Sequence, residues 1–220
     1  MTERYCGRQR SDFFIPTQAI LGYPNWFAKK PAVAERRRRY IDFSRELHAV
    51  LTTLFGYYSL HEELTVLTSA GLAGPWVRVD SIAITHIGVF VISRVDWAGK
   101  VEKSLEKNKL RIMSAEGMPE FHPCPLQYTA PVVHFLAALL DDLDCPIESI
   151  AVSENETCEF GLGLSTSLLK LSELHHFFRV RRERAYGVPS ALVNIEEMEE
   201  RLRTGCGLKT GPTPKQLENA

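Results

Sequence analysis

The side chains that could do chemistry are few and scattered. Asp80 opens one apolar run, Val79 to Thr85, and Ser93-Arg94-Val95-Asp96 closes the next. Asp80 is either a cation ligand or an acid at a strand edge, where charges usually stay exposed. Glu46 falls between Phe43 and Val50 on the apolar stripe of a helical segment. A carboxylate there is either paired in a pocket or at the margin of the stripe. Gln127 stands at the head of a second helical segment, as a cap or a ligand contact. Arg36, Arg37, Arg38 and Arg39 form the most basic run, either a solvated helix face or a set of phosphate contacts. His61-Glu62-Glu63 reads as a solvated strand edge rather than a metal cluster. His175 and His176 are adjacent, so on a helix they cannot face one metal, and they read as surface or structural groups.

The elements that must position these residues follow from periodicity. Tyr40, Phe43, Leu47, Val50, Leu51 and Leu54 recur at steps of three and four, which predicts a helix from Ala32 to Leu54 that stops at Gly56. Leu60 to Thr68 reads as a strand. Trp76 to Thr85 and Val89 to Val95 are β-branched runs joined at His86-Ile87-Gly88, a hairpin pattern. The run Val89-Phe90-Val91-Ile92 does not alternate, so it predicts a central strand buried on both faces. The charged stretch from Lys100 to Arg111 reads as a solvated excursion with strand character. A second helix is expected from Gln127 to Leu143, a strand from Ile147 to Val152, and another from Phe160 to Leu164. A third helix is expected from Leu168 to Arg179 and a charged, solvated helix over residues 190 to 203. The fold class is α/β, or α+β, with a mixed central sheet in the order helix, three strands, helix, strand.

Composition bounds the function classes. Hydrophobic residues make up 45% and charged residues 24% of the 220, as in ordinary globular proteins. The formal charge of −1 supplies no global field toward nucleic acid or membrane. Cys6, Cys124, Cys145, Cys158 and Cys206 contain no Cys-x-x-Cys pair, which argues against zinc and for reduced thiols. The N-terminus has no apolar signal-like run, and Pro131 to Leu140 is too short to cross a bilayer. A soluble cytoplasmic protein is expected, with no membrane partner. Residues 1–31 read as an N-terminal arm, 32–180 as the domain, and 181–220 as a C-terminal helix with a disordered tail.

One segment is more specific. Asp80-Ser81-Ile82-Ala83-Ile84-Thr85-His86-Ile87-Gly88-Val89-Phe90-Val91-Ile92-Ser93-Arg94-Val95-Asp96-Trp97-Ala98-Gly99 resembles, without a gap, the core of the nuclease-related domain (NERD) family, a branch of the PD-(D/E)xK nuclease-like proteins. That family shows an aspartate opening an apolar strand, a turn ending in Gly, then Val-Phe-Val-Ile-Glu-x-Lys-Asn-Trp-x-Gly. Pro125-Leu126-Gln127 resembles its Asn-Pro-Leu-x-Gln, and Glu46-Leu47 its first-helix glutamate. The resemblance covers residues 40 to 180 or so. It implies a restriction-endonuclease-like core with a pocket remnant of Glu46, Asp80, Ser93 and Gln127, and Asp80 as the metal position. In intact members it implies Mg²⁺-dependent DNA cleavage. The carboxylates there hold the cation, and a lysine two residues past the second carboxylate stabilises developing charge.

Here Ser93 stands for the glutamate and Val95 for the lysine. Arg94 and Asp96 should point to the opposite face of the strand, unless a bulge re-aims Asp96. Lys100 or Glu102 could reach in from a loop. The leading expectation is a catalytically degenerate domain that binds DNA or a protein partner, with Arg36 to Arg39 and Lys100 as phosphate contacts and no cofactor. The alternatives are an active endonuclease with relocated residues, using Mg²⁺, and a structural or homo-oligomerising module.

Overall fold

The computed structural model describes residues 33–68, 76–114, 117–187 and 193–206. The expected N-terminal arm, the side chain of Arg36 and the tail beyond residue 206 lie outside the described residues. The first element, α1 (Val33–Phe55), buries Phe43, Leu47, Leu51 and Leu54 along one stripe. Gly56, at φ +69°, ends it in the left-handed conformation. Strands β1 (Ser59–Leu67), β2 (Trp76–Thr85) and β3 (Gly88–Val95) then form an antiparallel meander. After α2 (Pro125–Leu139), β7 (Ile147–Ser153) joins β3 in parallel. The main sheet has the order β1-β2-β3-β7-β9, where β9 is Leu168–Lys170.

A second sheet has the order β6-β5-β4-β8. It comprises β4 (Gly99–Lys103), β5 (Lys109–Met113), β6 (Pro119–Pro123) and β8 (Cys158–Phe160). Two further helices are α3 (Leu174–Tyr186) and α4 (Ile195–Cys206). The class is α+β with two mixed sheets. No helix among the described residues is long and apolar enough to cross a membrane.

The main sheet carries helices on both faces. α1 and α3 cover one, packing Phe43, Leu47, Leu174 and Phe178 against Ala83, Phe90, Ile92 and Ile150. α2 and α4 cover the other, packing Val132, Leu136, Met198 and Leu202 against Val79, Ile82, Ile84, Val89 and Val91. This explains why β3 lacks alternation: Gly88 through Ser93 are buried whichever way they point. A smaller core on the α2 side joins Val95, Trp97, Val101, Leu110, Ile112, Cys158 and Leu168 between the two sheets.

Several expected elements differ in the structure. Leu168 and Leu169 pair with Ala151 and Val152 as an edge strand, although their spacing from Leu171 and Leu174 reads as helical. The helix starts only at Leu174, after Glu173 accepts the Lys170 N–H at 2.8 Å. The expected strand Phe160–Leu164 is Cys158–Phe160. The second helix begins at Pro125, a residue suited to the first helical position, and ends at Leu139, with a separate 3₁₀ turn over Asp141–Leu143. The charged last helix is not fully solvated: Ile195, Met198 and Leu202 are buried. α3 runs across residue 180, where the domain was expected to end.

Two glycines are required by close approach. A Cβ on Gly88 would lie 2.4 Å from the Pro146 carbonyl oxygen, and one on Gly99 would lie 2.1 Å from that of Met113. Both also have positive φ, which L side chains rarely adopt. Gly88 allows the hairpin to meet the chain entering β7. Gly99 allows the second sheet to turn away from the first.

Candidate functional site

The β1–β2 ladder skips one position on each strand. Glu62 pairs with Ser81 and Leu64 with Val79, leaving Glu63 and Asp80 between them. Glu63 has φ +52°. Both strands change faces there: Leu60 and Ala83 face α1, whereas Leu64, Val66, Val77 and Val79 face α2 and α4. Beside this break the β2–β3 ladder ends at Ser81–Ile92. Asp80 fills the gap, and its carboxylate accepts the backbone N–H of Arg94 at 2.7 Å. Burial pushes the Asp80 carboxyl above the usual aspartate range; the Arg94 N–H and the Arg94 and Arg78 charges pull it back only in part.

Arg94 leaves β3 toward α1. Its guanidinium lies 5.2 Å from the centre of the Tyr40 ring. It also reaches Glu154, just past β7, at 2.9 Å, although the angle is too poor for an aligned hydrogen bond. Both side chains are mostly buried, at 22% and 12% exposure. Burial raises the Glu154 carboxyl more than Arg94 lowers it. The Tyr40 hydroxyl is raised by burial first, then by Glu62, Glu63 and Asp80. Glu62 and Ser81 sit side by side on the same face, Ser81 fully buried. Next to this group an open cleft of about 330 Å³ is lined by Arg39, Asp42, Phe43, Asp96, Glu154, Asn155, Glu156 and Leu171. Arg39 and Asp96 form an ion pair across it.

The four residues expected to converge do not share a pocket. Glu46 is exposed on α1, and Gln127 is exposed in the first turn of α2, across the sheet. Gln127 is not the cap, since Cys124 holds that position. Ser93 is 6% exposed and alternates with Val91 and Val95, so it faces the α2 side. Val95 is 4% exposed in the core between the sheets. Arg94, as alternation required, points the other way. Lys100 and Glu102 flank the inward Val101, so they face out; Lys100 binds Glu102 at 2.8 Å, and Glu102 also meets Arg111. Those two cations hold the Glu102 carboxyl down at about 2. Arg37 and Arg38 are exposed, and His175 and His176 lie exposed on α3. His61 lies on the edge strand β1.

Among the described residues no three His, Cys, Asp or Glu side chains come together in a way that could hold a metal ion. The donors also do not fit Mg²⁺. One Asp80 oxygen is engaged by a backbone N–H, and Ser93 faces away from Arg94 and Glu154. Tyr40 and Glu154 were missed in the sequence, and Glu62, expected on a solvated strand edge, is half-buried beside Ser81. Tyr40 read as one more apolar stripe residue, and Glu154 carried only the hint of an acid directly following a buried strand.

Asp80→Asn separates a structural from a ligand role. The amide oxygen can still accept the Arg94 N–H, with no charge to bury. The folded carboxyl lies above its unfolded value, so the wild type loses stability as pH rises through the folded pKa. Thermal melts from pH 4 to 8 should show Asp80→Asn at least as stable as wild type at pH 7, with a flatter profile. A lower melting temperature at pH 7 would mean that the charge itself is needed.

No family model, curated protein or solved structure matches the chain.

Proposed function

We propose that the chain is a nuclease-related domain that has kept its frame, lost cleavage, and acts by binding nucleic acid. The frame half is supported by order and pairing. One helix, three antiparallel strands, a helix and a strand parallel to β3 is the core that the resemblance implies. Several residues retained from the family pattern have packing duties here: Gly88, Gly99, the buried Trp97 and the apolar β3. The insertion of β4 to β6 between β3 and α2 adds the second sheet without interrupting that order.

The loss of cleavage rests on Arg94. A fixed guanidinium, paired with Glu154 and stacked on Tyr40, supplies positive charge beside Asp80 where a nuclease would need a cation to enter. A guanidinium stays protonated at any accessible pH and cannot activate water as a metal does. The test is a plasmid-nicking assay in Mg²⁺ and in Mn²⁺. No nicking is expected at protein concentrations that retard the DNA. Nicking that disappears in Asp80→Ala would replace this reading with an active endonuclease.

A further inference from the structure

The near-neutral chain hides a division of charge. α1 and α3 together carry nine arginines against four carboxylates, a formal +5. The whole chain is −1, so everything else carries −6. The helices on the opposite face of the sheet do not share this excess: α2 has no charged residue, and α4 has four glutamates against two arginines. The fold gathers α1 and α3, far apart in sequence, onto one face. Arg182 links them by donating to the Leu54 carbonyl at 2.7 Å.

We propose that the outer surface of α1 and α3 is the nucleic-acid interface and takes the phosphate backbone of a duplex. The inference rests on the reading above and moves binding away from the Asp80 region, where acids crowd. Among the described residues Arg37, Arg38 and Arg184 are exposed and enter none of the ion pairs. Arg45 and Arg179 are exposed too, in surface pairs with Asp42 and Glu183 that phosphates can displace. Among the described residues Glu46 and Glu183 are the exposed acids on these helices. His48, His175 and His176 are exposed on the same helices.

The 23 residues of α1 make a rod of about 35 Å, close to one turn of a DNA duplex. Arg37 and Arg38 lie near its start, and α3 is tied near its end, so the free cations are spread along this length. A lipid surface fits less well, because a membrane-surface helix must offer its apolar face. Here Leu47, Leu51, Leu174 and Phe178 are buried against the sheet.

The experiment is fluorescence anisotropy of a labelled 20-base-pair duplex with the full chain, titrated over salt. The variant Arg37→Glu/Arg184→Glu is compared with Lys103→Glu/Lys107→Glu, which makes the same charge change on the exposed rim of the second sheet. The first pair should weaken binding at least tenfold and make the salt slope shallower by about two; the second should change affinity less than threefold. If both pairs weaken binding equally, this surface is wrong while nucleic-acid binding stands. If the wild-type chain binds no duplex, the reading beneath it falls as well. Binding to phosphatidylserine vesicles in preference to the duplex also overturns the assignment.

Discussion

Val95→Lys is expected to lose about 3–5 kcal/mol of stability and to gain no nuclease activity, alone or with Ser93→Glu. The pair of changes writes the family's Glu-x-Lys back into the chain, so on sequence alone it is the obvious restoration. The structure gives the opposite expectation. Val95 is 4% exposed among Trp97, Val101, Leu110, Ile112, Cys158 and Leu168. An ammonium placed there has no carboxylate within its own core and must shed its proton or break the packing. Urea unfolding would report a lower midpoint. A stable double variant that nicks DNA in Mn²⁺ would show instead that residues 93 and 95 still face a working pocket.

Arg94→Ala is the second large effect, about 3–5 kcal/mol, because it leaves Glu154 buried without its cation. Removing both charges should be far milder: Arg94→Met/Glu154→Leu should recover most of the loss, since an apolar pair of similar volume avoids desolvation. The double-mutant cycle measures the coupling directly. The single variant also has a pH signature. Glu154 already titrates above its ordinary range, and loss of Arg94 raises it further. Protonation is then favoured in the folded state, so Arg94→Ala should be more stable at pH 5 than at pH 7, losing stability as pH rises through the folded pKa. Single and double variants that are equally destabilised would remove the ion pair from the account.

The helices and strands with strong periodicity were legible in the sequence. Phe43, Leu47, Leu51 and Leu54 mark α1 to within a residue or two of Val33–Phe55, and the unalternating Val89–Ile92 does mark a strand covered on both faces. What failed was set by partners distant in the chain. Leu168 and Leu169 carry helical spacing but are claimed by the open edge of β7. Met198 sits among glutamates and Leu202 between two arginines, so nothing local shows that they cover β2. The site was legible by parity alone: alternation correctly turned Arg94 away from Val95. It could not reveal that Glu63 and Asp80 break the ladder together, which takes Asp80 out of the row and onto a backbone N–H. Glu46 and Gln127 matched the family pattern yet stand exposed on helices across the sheet from one another.

The most direct test puts cleavage and binding in one experiment. Supercoiled plasmid is incubated with the purified chain over rising protein concentration, in Mn²⁺ and in EDTA, and run on a gel before and after protein removal. The account expects retarded plasmid that returns fully supercoiled once protein is removed, the same with and without metal, and retardation that fades with added salt. Nicked plasmid that depends on Mn²⁺ and on Asp80 would contradict it.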